Sequence, residues 1–213
     1  MMIEPNPVFE KNYEDYLRQL DNTHMSRWES VLQITTDEER KTAHIPFFQK
    51  LYHVSPLGVV DEQGRRPNYG ICVILLKYLL MCPLQVPSGK DWIAYRDFSD
   101  SGQAQNVGLA DYATATISKR YTGNLEGLKS ALSALGGRRP DADYPYDFSA
   151  VLPVLPRIPI LFLFNDADEQ FPARTSILYQ RRAAHFLDAE CRIMVDWYLR
   201  EHLKRAEPSL PQV

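Results

Sequence analysis

The chain opens on an apolar stripe at helical spacing. Val8, Tyr13, Tyr16, Leu17 and Leu20 recur with charges between them, which predicts a helix over Val8 to Leu20. A second, shorter helix is predicted from Ser26 to Ile34, built on Trp28, Val31 and Leu32. Ser26 followed three residues later by Glu29 matches a capping box. From Lys41 the period changes, and β-branched and aromatic residues predict strands at Thr42 to Phe48, Leu51 to Val54 and Leu57 to Val60. Pro46 lacks a ladder donor and so assigns the first of them to a sheet edge. Asp61-Glu62-Gln63-Gly64 reads as a polar turn. Gly70 to Cys82 is nearly all apolar, long enough to be a buried helix, and stopped by Pro83. Lys77 interrupts it. Such a lysine either reaches the surface along its own methylenes or pairs its ammonium with a carboxylate.

Downstream, Asp91 to Phe98 alternates in part and predicts a strand or an extended arm. Helices are predicted over Gly108 to Tyr121 and Asn124 to Leu135, the second capped by Asn124 and ended by Gly136-Gly137. Pro153, Pro156 and Pro159 make the stretch up to Ile160 an edge or an extended linker. Ile160 to Phe164 reads as a short buried strand, and Ser176 to Tyr179 as its neighbour or as a helical turn. Asp188 caps a last amphipathic helix running to Lys204, with Ile193, Val195, Trp197, Leu199 and Leu203 as its apolar positions. The fold class is therefore α+β, a small antiparallel or mixed sheet packed against several helices. One compact domain is expected over residues 1–207, with 208–213 a frayed tail.

Composition narrows the function. Hydrophobic residues make up 45% and charged residues 24% of 213, which supports a full core without disulfide or metal. The net charge of −3 comes without a basic stripe, so nucleic acid is not an expected partner. Arg65-Arg66, Arg138-Arg139 and Arg181-Arg182 read as solvated pairs. Cys72, Cys82 and Cys191 are too few and too far apart for a disulfide framework or a zinc ribbon. Cys72 and Cys82 fall on the buried helix as small core residues. Met1 to Tyr16 carries four acids and no apolar core, which predicts no secretory leader. No run is long enough to cross a bilayer, and the expected address is the cytoplasm.

The strongest chemical signal is Asn165-Asp166-Ala167-Asp168-Glu169-Gln170-Phe171-Pro172, a cluster of carboxylates just after a buried strand. Three named chemistries fail on it. Phosphoryl transfer from a D-x-D needs more sheet after Asp168 than this chain has. A calcium loop needs glycine where Phe171 stands and glutamate where Ile177 stands. A hydrolase triad with Asp168 and His185 needs a G-x-S-x-G elbow, and the chain has none. What remains is a metal set of Asp166, Asp168 and Glu169, with His185 as a further ligand-orienting group, or a solvated turn that ends a strand. The second signal is Trp92-Ile93-Ala94-Tyr95-Arg96-Asp97. If extended, it puts Trp92 and Arg96 on one face, where stacking and bidentate hydrogen bonds can clamp a flat or anionic ligand. The alternative is a core Trp92 with Arg96 paired to Asp91 or to the acidic turn. His44 and His53 fall in different strands, and no histidine shows metal-binding spacing.

The apolar helix Ile71 to Met81, the run Gly89 to Phe98, the Gly136-Gly137 break, Pro159 to Pro172 and Ser176 to Tyr179 together resemble a prokaryotic family known as domain of unknown function 3786. The likeness runs from about Asn12 to about Lys204. Trp-Ile-x-Tyr-Arg-Asp and Asp-x-Asp-Glu-x-Phe-Pro are its most specific stretches. The resemblance implies a cytosolic protein of anaerobes and no catalytic residues to transfer. Some relatives carry an added cysteine-rich iron–sulfur domain of the type found in corrinoid one-carbon proteins, and this chain lacks those cysteines. The leading expectation is a non-catalytic accessory protein that binds a small molecule or a cofactor of unknown identity. Its ligand residues would be Trp92, Arg96, Asp168, Glu169 and His185. The alternatives are a metal-dependent enzyme on Asp166, Asp168 and Glu169, or an interaction module docking through Pro145 to Pro159 onto an unknown protein partner.

Overall fold

A computed structural model describes residues 7–20, 25–100 and 104–205. The expected tail at 208–213 lies outside them. Helix α1 (Pro7–Leu20) packs Tyr13, Leu17 and Leu20 inward, and the Tyr13 hydroxyl accepts from Val59 N at 2.9 Å. One turn, α2 (Met25–Arg27), runs into a π turn at Trp28–Leu32. Ser26 lies within this helical segment and does not cap it. Glu29 accepts instead from the backbone and hydroxyl of Thr36, at 3.1 and 2.8 Å. Arg157 closes the other side, donating to the carbonyls of Val31 and Ser30 at 2.7 and 3.2 Å. A guanidinium meeting the last carbonyls of a helical turn is a favourable end group.

The first sheet is an antiparallel meander of β1 (Thr35–Asp37), β2 (Thr42–Phe47), β3 (Lys50–Ser55) and β4 (Gly58–Asp61), in that order. Strand β2 is interior, not the edge that Pro46 suggested. Its register explains why. Phe48 and Gln49 form a two-residue turn, both with positive φ (46° and 65°), so Phe47 and Lys50 are the closing hydrogen-bonded pair. Pro46 and Leu51 are then a non-hydrogen-bonded pair, and the Pro46 nitrogen faces the β1 side. Strand β1 reaches only Thr42 to His44, so no ladder bond is missed there.

The second sheet has the order β5-β8-β7-β6, all antiparallel, from β5 (Trp92–Ala94), β6 (Phe148–Leu155), β7 (Ile158–Asn165) and β8 (Arg174–Gln180). The proline stretch is thus an edge strand rather than a linker. Pro153 faces Pro159 beside a bulge, and β8 ends its pairing at Ile160, before Pro159 is reached. The open edge of β6 is partly covered, because Arg138 exchanges both backbone bonds with Val151 and Phe48 N donates to Val154 O at 3.1 Å. That last bond also joins the two sheets.

Helix α3 (Tyr69–Leu80) is buried nearly all round, as its composition predicts. Lys77 takes the paired option, with its ammonium 3.3 Å from the Asp188 carboxylate and 4.9 Å above the Tyr16 ring. Helices α4 (Ala104–Tyr121), α5 (Leu125–Ala134) and α6 (Ala189–Arg205) cover the second sheet. Asn124 caps α5 through Gly127 N at 3.0 Å, and Asp188 caps α6 through Cys191 N at 2.9 Å. Gly136 ends α5 at φ 77°, where a Cβ would meet the Gln49 side chain at 2.6 Å. Residues of both sheets and of these helices share one continuous hydrophobic core. Among the described residues no helix is long and apolar enough to cross a membrane.

Candidate functional site

The five predicted ligand residues do not converge. Strand β8 separates them, running from Arg174, beside the acidic bend, to Gln180, which pairs with Trp92. Seven strand residues span about 20 Å. His185 lies beyond that far end, exposed at the close of a 3-10 turn, Arg181–His185. Trp92 is half-buried there. Arg96 is not in line with it, because Tyr95–Asp97 form a 3-10 turn that swings the chain toward α4. Arg96 lies 3.4 Å from Asp111 of α4, and Asp91 pairs with Arg181 at 2.7 Å.

The acidic bend spends its carboxylates on backbone. Asp166 accepts from Gly123 N and Ala167 N, both at 2.8 Å, and its own N–H donates to Asp147 at 2.7 Å. Asp168 accepts from Gln170 N and Phe171 N at 2.7 and 2.6 Å. Those two bonds favour the charged form and hold its carboxyl below the ordinary aspartate value. Glu169 is exposed. Among the described residues no three His, Cys, Asp or Glu side chains come together to hold a metal ion, so the expected set of Asp166, Asp168 and Glu169 is not assembled as one. The bend works as an Asx turn that knits β7 to the α4–α5 turn and to the start of β6.

A cleft of about 770 Å³ opens between α4, the Tyr95–Asp97 turn and β8. Arg96 is the one predicted ligand residue that lines it. A second hollow, about 830 Å³, adjoins it through Pro172, Ala173 and Arg174 and takes in Asp166 and Asp168. Trp92, Glu169 and His185 line neither.

Sequence patterning missed the polar groups that reach the cleft from inside the fold. Ser118 of α4 and Thr175 of β8 are both buried, and the Ser118 hydroxyl meets the Thr175 hydroxyl at 2.9 Å. Asp196 of α6 also lines the cleft, although only 2% of it is exposed. Burial raises its carboxyl to about 7, against smaller opposing effects of the Tyr179 hydrogen bond and the Arg192 charge. The Tyr179 oxygen lies 2.5 Å from the Asp196 carboxyl and 2.9 Å from the Arg192 carbonyl. One hydroxyl proton cannot serve both acceptors. Below about pH 7, where Asp196 holds its proton, the carboxyl donates to Tyr179, which donates onward to Arg192 O; above it the Tyr179 hydroxyl donates to the carboxylate.

Arg192 stands behind this group with none of its surface exposed. Its guanidinium pairs with Asp100 at 2.5 Å, donates to Leu187 O at 2.6 Å and lies 4.2 Å over the Phe98 ring. The pattern explains the legible part of α6 and corrects the rest. Trp197, taken as apolar stripe, is 45% exposed, whereas Arg192 and Asp196 occupy the inward face.

Comparison with known families agrees with the motif resemblance. A family model described as Domain of unknown function (DUF3786) matches residues 27–202. The chain belongs to the DUF3786 family. No curated protein and no solved structure matches this DUF3786 chain. The matched span contains every residue that lines the cleft, from Ala94 to Asp196, so the whole cleft belongs to the family domain.

Proposed function

We propose that this chain is a non-catalytic cytoplasmic binding protein that holds a small polar molecule, or the polar part of a cofactor, in the cleft between α4 and β8. The observation that carries this reading is the arrival of a buried carboxyl and a buried hydroxyl pair at the wall of one cleft. Buried polar groups that reach a concave surface are what fix a ligand's orientation. Thr114, Ser118 and Thr122 donate their hydroxyl protons to carbonyls of α4 and meet the cleft as acceptors, and Thr175 and Ser176 add two further hydroxyls from β8. Arg96, Lys119 and Arg174 bring positive charge, offset by Asp97 and Asp111 at the same cleft. That balance favours a neutral or zwitterionic ligand rich in hydroxyl, amide or carbonyl groups over a polyanion.

The three cysteines are buried, and burial raises each thiol, which disfavours a nucleophilic thiolate. The metal-enzyme alternative loses support from the engagement of Asp166 and Asp168 with backbone N–H groups.

The test is equilibrium binding and thermal unfolding of the purified chain against nucleotides, haems, corrinoids and small polar metabolites. At least one class is expected to raise the melting temperature. Ala115→Trp, at an exposed cleft position on α4, is expected to weaken that ligand at least about tenfold, 1.4 kcal/mol, without lowering the unliganded melting temperature. Equal binding by the tryptophan variant counts against the cleft.

A further inference from the structure

The first sheet brings together two imidazoles that do not line the cleft. Counting back from the Phe47–Lys50 closing pair, hydrogen-bonded and non-hydrogen-bonded pairs alternate. His44 and His53 are therefore a non-hydrogen-bonded pair, the kind whose side chains approach most closely. Their neighbours Ala43, Ile45, Tyr52 and Val54 take the buried face, which leaves both histidines half-exposed on the other. The rings meet edge to face with centroids 4.8 Å apart. Their Nδ1 atoms are 2.6 Å apart. One ring must carry its proton at Nδ1 while the other presents a lone pair.

We propose that His44 and His53 form a two-imidazole site for a borderline divalent transition-metal ion of the zinc, nickel(II) or copper(II) class, with water completing the coordination. Imidazole suits these ions. Two metal–nitrogen bonds of about 2.0–2.1 Å at a tetrahedral angle place the ligand atoms about 3.3 Å apart. Modest side-chain rotation of two half-exposed rings supplies the opening. The proton between the rings moves to Nε2 of the ring that held it, and the ion takes both Nδ1 lone pairs. The neutral pair thus releases no proton on binding, and each protonated ring would release one.

The surroundings agree with a cation. Asp37 of β1 sits opposite Thr42, on the same face and diagonal to His44, and brings a carboxylate charge. Arg40 opposes it and is itself 3.6 Å from Asp37. The other paired positions on this face, Thr35, Thr42, Pro46, Leu51, Ser55, Gly58 and Val60, are uncharged. With two protein ligands the site is open and exchangeable.

Zinc titration of the full chain against a chromophoric indicator tests the site, with copper(II) paramagnetic resonance as a second readout. One equivalent is expected to bind, with two nitrogen ligands visible on copper. Changes to a metal ligand's outer partners already cost about 10–100-fold, so His44→Gln and His53→Gln are each expected to weaken binding by at least about tenfold with unchanged circular dichroism. No stoichiometric binding, which leaves a proton-sharing pair only, overturns the proposal. So does equal binding by both variants. Neither result bears on the cleft, which shares no residue with this pair.

Discussion

Arg192→Ala is expected to lower the unfolding free energy by about 3–5 kcal/mol, a large share of the ~5–15 kcal/mol typical of a domain. The side chain is fully buried and fills space against Phe98. Its loss leaves a cavity, strands the Leu187 carbonyl and removes the counter-charge of Asp100. Asp100 is 44% exposed and can rehydrate, so the cavity and the carbonyl carry most of the cost. Arg192→Met refills much of the volume and is expected to recover part of the loss. Urea unfolding measures both variants. A loss for alanine below about 1 kcal/mol would mean that the guanidinium is not holding α6 in place.

Asp196→Asn is expected to change how stability depends on pH. The folded chain holds the Asp196 proton up to about pH 7, whereas an unfolded aspartate releases it near 3.8. Between those values the native state binds more protons, so wild-type stability falls as pH rises and levels off above about 7. The shift corresponds to a differential on the order of 4 kcal/mol. Asparagine has no proton to lose and can still donate to Tyr179. The stability difference between the two proteins should therefore move in favour of asparagine by roughly that amount between about pH 4 and pH 8. Asp168 and Asp188 have lowered values and act in the opposite sense, losing their stabilisation as pH falls. They are common to both proteins and cancel in the difference. Parallel stability curves would show that Asp196 is ionised in the fold.

Local rules carried the element list a long way. Helix α3, the caps Asn124 and Asp188, and the three strands after Lys41 were legible because each depends on residues close in sequence. The errors came where tertiary context decides. Pro46 sits inside a sheet because β1 stops two residues short of it, which no window around the proline reveals. The Trp92–Arg96 alignment assumed an extended chain, and the turn at Tyr95–Asp97 broke it. The carboxylates after β7 looked like chemistry, but short side chains beside a bend bind their own backbone first.

The missed cleft residues had a faint signal. Arg192, Asp196, Leu199 and Leu203 share one face of α6 at spacings of four, three and four, so an acid and a base interrupt an apolar stripe. Reading that face, rather than collecting every apolar residue of the helix, would have singled out Asp196. The His44–His53 pair depends on a hairpin register set by Phe48 and Gln49, and those residues carry no Asn-Gly or Asp-Gly signal.

The binding account is tested most directly by amide chemical-shift mapping of the chain with the tightest small molecule from the panel. The shifts are predicted to concentrate on Thr114, Ser118, Thr175, Ser176 and Asp196. Shifts that gather elsewhere while these amides stay still would contradict it.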